Sequence, residues 1–204
     1  QPAEEAYFET GLMSTNGVDN WDGAKWIAMD KSFNTYVVEA KITVPSKSGI
    51  TTSLIFSGKD SSNYFKWNFS KSDSGNLLFK PVCVMSGSEY PLVDGKYNPN
   101  NGAPAATETT INVADNPEIT VTIEFTADVN KIATKINGSE VSTITDFKGF
   151  QPGGSWGSWT WPATLVDTLP VVHGMVGMLL SATANSHDPF TASIAGIKDT
   201  NGTQ

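Results

Sequence analysis

The chain has 204 residues, 39% of them apolar and 17% charged, which suits one globular domain over 1-204 and excludes disorder, collagen and coiled coil. Thirteen basic residues against twenty-one acidic ones give a net charge of −8, and every basic residue is Lys. With no Arg to fork onto phosphates, the expectation is no nucleic acid and no membrane as partner, and neutral ligands gain by default.

No apolar run approaches the roughly 18 residues of a membrane span. The opening Gln1-Pro2-Ala3-Glu4-Glu5 lacks the basic and apolar regions of a signal peptide, so a soluble, already trimmed chain is expected. In chain order, Asp19-Asn20-Trp21-Asp22-Gly23 comes first. It lacks the alternating oxygen ladder and terminal Glu of a calcium loop and reads as an Asx-rich turn.

From there the period is two. Tyr36, Val38, Ala40, Ile42 and Val44 share one face of a strand that ends at Pro45, with Glu39, Lys41 and Thr43 on the other. Further strands are expected at Thr52 to Ser57, Tyr64 to Ser70 and Leu77 to Met85. The last holds the single Cys83, which Val82 and Val84 mark as a buried, inert thiol. Tyr90 to Thr110 reads as a long loop. Ile119 to Phe125 alternates again, and Lys131 to Ile136, Asn137-Gly138 and Glu140 to Ile144 spell strand, turn and strand.

Lys148 to Thr168 reads as a second long loop, followed by strands at Val172 to Ser181 and Thr191 to Lys198. No window shows a helical stripe. The fold class expected is all-β, with two antiparallel sheets packed as a β-sandwich or jelly roll.

Particular strings resemble a known family: Trp26-Ile27, Tyr36 to Ile42, and above all Ile55-Phe56-Ser57-Gly58-Lys59-Asp60-Ser61-Ser62-Asn63-Tyr64-Phe65-Lys66-Trp67. They look like the concanavalin A-like (laminin-G-like) sandwich domains of secreted bacterial polysaccharide-degrading proteins, of carbohydrate-binding-module type and related to 3-keto-disaccharide hydrolase-like domains. Asn137-Gly138, Val176-Gly177-Met178 and Ser193 to Ile197 fit the same strand order. The resemblance implies a secreted or cell-surface location, a polysaccharide or oligosaccharide partner, and flanking domains of a larger secreted protein. It implies no cofactor beyond a structural calcium. Relatives often carry Arg where this chain has Ser57, and the Trp-rich stretch at 156 to 161 departs from the family pattern.

Catalytic residues are assigned to none. A glycosidase needs two carboxyls about 5 to 10 Å apart, and Glu39, Glu124 and Glu140 stand alone on different strands as outward residues. His173 lies in an apolar strand and His187 beside Asp188 in a polar turn; neither has the spacing of a metal site, so no metal is assigned. Two sets are candidates for sugar contact. Ser155-Trp156-Gly157-Ser158-Trp159-Thr160-Trp161-Pro162 holds half of the six Trp; if extended, it projects Trp159 and Trp161 to one side and Trp156 out of phase. These rings are either a stacking platform for successive sugars or a cap on the core. On the strand Tyr64 to Ser70, Tyr64, Lys66 and Asn68 face away from Phe65, Trp67 and Phe69, as sugar donors and acceptors or as ordinary solvated surface.

The functional expectation is a non-catalytic carbohydrate-binding module for a neutral or weakly charged polysaccharide. The alternatives are a glycoside hydrolase or lyase of the same fold, and a structural or adhesive accessory module packed on a catalytic domain.

Overall fold

The computed structural model describes residues 13–14, 22–27, 35–46, 50–60, 62–92, 96–97, 105–126, 131–145, 151–152, 175–182 and 191–199. Their regular elements are all strands: β1 (Met13–Ser14), β2 (Asp22–Ile27), β3 (Thr35–Thr43), β4 (Ile50–Asp60), β5 (Asn63–Lys71), β6 (Asn76–Met85), β7 (Ser88–Pro91), β8 (Lys96–Tyr97), β9 (Thr107–Asn112), β10 (Glu118–Thr126), β11 (Lys131–Ile136), β12 (Ser139–Ile144), β13 (Gln151–Pro152), β14 (Met175–Ala182) and β15 (Thr191–Asp199). One sheet has the order β1-β15-β3-β10-β11-β12. A second has the order β2-β14-β4-β5-β6-β7, with β9 also paired to β6, and β13 and β8 form a small parallel pair. This is the expected all-β, two-sheet antiparallel sandwich.

Alternation places the core. On β3, Val38, Ala40 and Ile42 are buried while Glu39 and Lys41 are exposed; on β10, Ile119, Val121, Ile123 and Phe125 are buried while Thr120 and Glu124 are exposed. The second sheet answers with Leu54, Phe56, Phe65, Trp67, Phe69 and Phe79, in one cluster with the first sheet's residues. Trp67 meets Phe56 edge-on at 4.6 Å between ring centroids and Phe79 at 5.9 Å. Such pairs contribute about 0.5–1.5 kcal/mol each beyond their area.

An indole in a dry core needs an acceptor for its N–H. Trp67 Nε1 donates to Thr134 Oγ1 on β11 of the opposite sheet at 2.7 Å, and both residues are fully buried. Thr52, on the core face of β4, has no such partner for its buried Oγ1. Cys83 is a free thiol in the same core, and burial pushes its ionisation up, out of reach at neutral pH. The expectation of an inert thiol holds.

Two hairpins turn on residues with positive φ. Asn137 (52°) and Gly138 (83°) join β11 to β12, the geometry of a type I′ turn. Asn137 also ties the turn to β10, its N–H donating to the Thr120 carbonyl at 2.9 Å and its Oδ1 accepting from the Thr120 N–H at 3.0 Å. Ser86 (50°) and Gly87 (79°) join β6 to β7 in the same way.

The second hairpin corrects the sequence reading. The loop expected over Tyr90 to Thr110 contains the end of β7, all of β8 and the start of β9. The Asx-rich turn expected at Asp19 to Gly23 runs instead into β2 at Asp22 and Gly23. Both β7 and β9 pair along the edge of β6 away from β5 and bury little: β9 runs exposed or half-buried throughout. Strands that bury no face carry no apolar alternation to read.

The buried polar atoms generate opposite expectations. Thr134→Val leaves the Trp67 N–H without an acceptor and should lower unfolding free energy by about 1–3 kcal/mol, whereas Thr52→Val removes an unpaired hydroxyl and should be neutral or stabilising by up to about 1 kcal/mol; urea unfolding of both variants checks the sign.

Candidate functional site

Because Phe65, Trp67 and Phe69 point into the core, Tyr64, Lys66, Asn68 and Ser70 lie on the opposite face of β5. Pairing extends that face sideways. Ser53, Asn68 and Lys80 form one row, Ile55, Lys66, Val82 and Pro91 the next, and Tyr64, Val84 and Glu89 a third. Three of the sequence-derived candidates are thus brought together on one face.

This face is not uniformly wet. Ile55, Val82 and Val84 are buried yet stand outside the core cluster, and Lys66 is only 4% exposed. Tyr64 and Asn68 are half-buried. The middle of the outer face is therefore closed, which differs from an open surface of free donors.

A buried ammonium needs a counter-charge. Lys66 Nζ donates to Glu89 Oε1 of β7, reaching diagonally over β6. Asn68 is fixed as well: Ser53 Oγ donates to its Oδ1 at 2.6 Å, leaving the amide NH₂ oriented. Glu89 was invisible to sequence reasoning because its strand was read as loop; the Ser86-Gly87 dipeptide was the turn signal that pointed to it.

At the other end of the face, Ser70 pairs with Leu78 and Leu78 with Glu108 of β9. Glu108 Oε1 accepts from Ser74 Oγ, from Ser72 Oγ at 2.8 Å and from Asn76 Nδ2 at 3.3 Å. These bonds, from Ser74 above all, hold its carboxyl below the usual carboxylate range.

Carboxylate spacing decides what chemistry the face allows. Glu89 and Glu108 sit opposite Val84 and Leu78, six residues apart along β6. At ~3.4 Å per residue that is about 20 Å, too far for one glycosidic bond to lie between them. On the first sheet, Glu39 pairs with Thr122, two residues from Glu124, so these two carboxylates are diagonal neighbours about 7–8 Å apart. Both are exposed on an open sheet face. The expectation that Glu39 and Glu124 stand alone is therefore too simple: strand order makes them neighbours.

Among the described residues, no three His, Cys, Asp or Glu side chains gather as a metal set. Trp156, Trp159 and Trp161, and likewise His173 and His187, lie outside the described residues.

No family model matches the sequence, and no curated protein does. Solved structures match in shape. The carbohydrate binding module CBM66 from Bacillus subtilis aligns at 14% identity over 93% of this chain and 94% of its own, with a TM-score of 0.50. The Crh5 transglycosylase in complex with NAG aligns at 15% identity over 94% of this chain and 73% of its own, with a TM-score of 0.54. At such identities the likeness establishes the fold, a concanavalin A-like sandwich, as the sequence resemblance implied.

The Lys66–Glu89 pair yields a test of how this face is held. Glu89→Ala strands a buried ammonium and should cost about 1–2 kcal/mol, the exposure of Glu89 moderating the loss, while Lys66→Met keeps the stem's packing and should cost less. Chemical denaturation of the two variants gives the order.

Proposed function

We propose that the chain is a non-catalytic module that binds a neutral or weakly charged polysaccharide, working outside the cell in a bacterial polysaccharide-degrading or polysaccharide-capturing system. The observation that carries this reading is the outer face of the second sheet. It offers an oriented amide at Asn68 beside the half-buried Tyr64, and Glu89 lies too far from Glu108 for the two to flank one glycosidic bond.

Trp156, Trp159 and Trp161 supply the stacking surface in this proposal, because flat pyranose C–H faces match indole and Trp orders at low entropic cost. Tyr64 and Asn68 supply hydrogen bonds at the sheet. Lys66, buried and paired with Glu89, holds β7 beside them rather than meeting sugar directly. The reading calls on no cofactor, and a calcium in this proposal would be structural only.

The fold also carries enzymes, as the transglycosylase neighbour exemplifies, so an enzymatic reading stands as the second. Its support is the Glu39 and Glu124 diagonal and the two carboxylates, Asp73 and Glu108, that border one cleft at the β5–β6 hairpin. Against the Glu39 and Glu124 pair, both side chains are exposed, and among the described residues nothing closes over them to exclude water.

Affinity electrophoresis against soluble xylan, mixed-linkage β-glucan and galactomannan tests the proposal. Retardation by at least one polymer is expected, with Trp159→Ala and Trp161→Ala each losing about 1–3 kcal/mol of affinity at unchanged melting temperature. Release of reducing ends that disappears in Glu39→Gln or Glu124→Gln would replace the binding reading with the enzymatic one.

A further inference from the structure

The polar cluster around Glu108 took no part in the site proposed from the sequence, and its geometry is more than a strand clip. The β5–β6 hairpin turns through Ser72 to Gly75, closed by the Gly75 N–H on the Ser72 carbonyl at 3.0 Å and by the Asn76 N–H on Ser72 Oγ at 3.0 Å. Gly75 has φ +88°, and a Cβ there would meet Ala114 at 3.0 Å. The Gly75 carbonyl in turn accepts from the Val113 and Ala114 N–H groups. The turn is thus clamped from the side of β9, the strand that carries Glu108.

Beside this clamp an open cleft of about 600 Å³ is bordered by Ser70, Lys71, Ser72, Ser74, Leu78 and Glu108, with Asp73 at its rim. That volume falls in the range of about 300–1,000 Å³ that small-molecule sites occupy. It sits at the end of the same outer face whose middle is closed at Lys66, Val82 and Val84. A ligand approaching this sheet meets the hairpin end open.

We propose that this cleft is a distinct subsite for one neutral sugar ring, with Glu108 Oε2 as an acceptor of ring hydroxyl protons and Ser70, Ser72 and Ser74 completing the hydrogen bonds. The proposal rests on the glycan-binding reading above and adds a location and a substrate class to it. Three donors converge on Glu108 Oε1 alone, so the carboxylate is immobilised with Oε2 directed elsewhere. A carboxylate held in advance accepts hydroxyl protons at little ordering cost and makes charge-assisted bonds, which are stronger than neutral ones.

The serines suit the same task. Ser72 and Ser74 spend their hydroxyl protons on Glu108 or on each other, which leaves lone pairs that accept from a ligand. Leu78 offers a small apolar surface for a ring's C–H face. The charges select against acidic sugars: Glu108 and Asp73 outweigh Lys71 at the cleft, so a uronate or sulfated ring meets net repulsion.

The simpler role for Glu108, a staple holding β9 to the hairpin, predicts a loss of stability on mutation and no separate loss of binding. The experiment measures both. Affinity electrophoresis in soluble xylan, mixed-linkage β-glucan and galactomannan is run on the wild-type chain, Glu108→Gln, Ser74→Ala and Lys71→Ala, with a thermal melt of each. Lys71 makes no part of the staple, so Lys71→Ala reports on the cleft even if the other two variants unfold.

The expected result is a wild-type chain retarded by at least one polymer, with five- to fifty-fold weaker binding in Glu108→Gln, still folded at the assay temperature, and a smaller loss in Lys71→Ala at wild-type melting temperature. Wild-type binding retained in all three variants overturns the subsite and leaves the glycan-binding reading intact. Binding that falls only in step with melting temperature also overturns it, in favour of the staple. A wild-type chain that binds none of the polymers overturns both readings together.

Discussion

The hydrogen bond from Trp67 to Thr134 is the constraint on which the other placements depend. Trp67 sits on β5, with β4 and β6 on either side, and its N–H finds its acceptor only across the core on β11. A one-residue slip of β5 against its neighbours would turn Trp67 outward and strand Thr134 in the apolar interior. The bond therefore selects register as well as holding the sheets together. Phe56 and Phe79, edge-on to the indole from the two neighbouring strands, are fitted to that same register.

Parity then carries the consequence to the other face. With Trp67 inward, Lys66 and Asn68 are outward, and their partners follow from pairing: Ser53 beside Asn68, Val82 beside Lys66, Glu89 one row on. The Lys66–Glu89 pair serves strand β7, which among the described strands pairs with β6 alone. Glu108 does the same for β9 at the far end of β6, through the serines of the hairpin. Two short strands that bring little more than Tyr90 and Ile111 to the core are thus fastened to one long strand by carboxylates as well as by pairing and packing. The functional reading draws on those same carboxylates.

The strands that bury one whole face were legible in the sequence. β3 and β10 show it through Val38, Ala40 and Ile42 against Ile119, Val121 and Ile123, and Asn137-Gly138 named its own turn. The resemblance carried by Ile55 to Trp67 pointed to the sandwich that the fold comparisons support. What was not legible has a common cause. β7 reads Ser-Glu-Tyr-Pro and β9 reads Thr-Glu-Thr-Thr-Ile-Asn; each turns one large apolar side chain, Tyr90 or Ile111, toward the core, too few to spell an apolar alternation. With those strands missed, Glu89 and Glu108 had no address. The outward parity of Tyr64, Lys66 and Asn68 was readable from one strand, but the burial of Lys66 was not, because it depends on what lies over the strand.

The centre and the hairpin end of the outer face therefore differ in kind, and under the proposed binding role the difference bears on where a flexible chain of sugars would be held. At the centre, a buried cation is neutralised and apolar side chains close the surface, so little hydrogen-bonding capacity is left to exchange with a ligand. At the hairpin, a carboxylate is held by donors on one oxygen only, next to an opening. Binding a polar ligand gains most where protein groups are already oriented yet still hydrated, since each bond formed then costs neither side-chain ordering nor the rupture of an internal bond. By that criterion the proposed binding role makes the closed middle of the sheet the frame and assigns recognition to its rim.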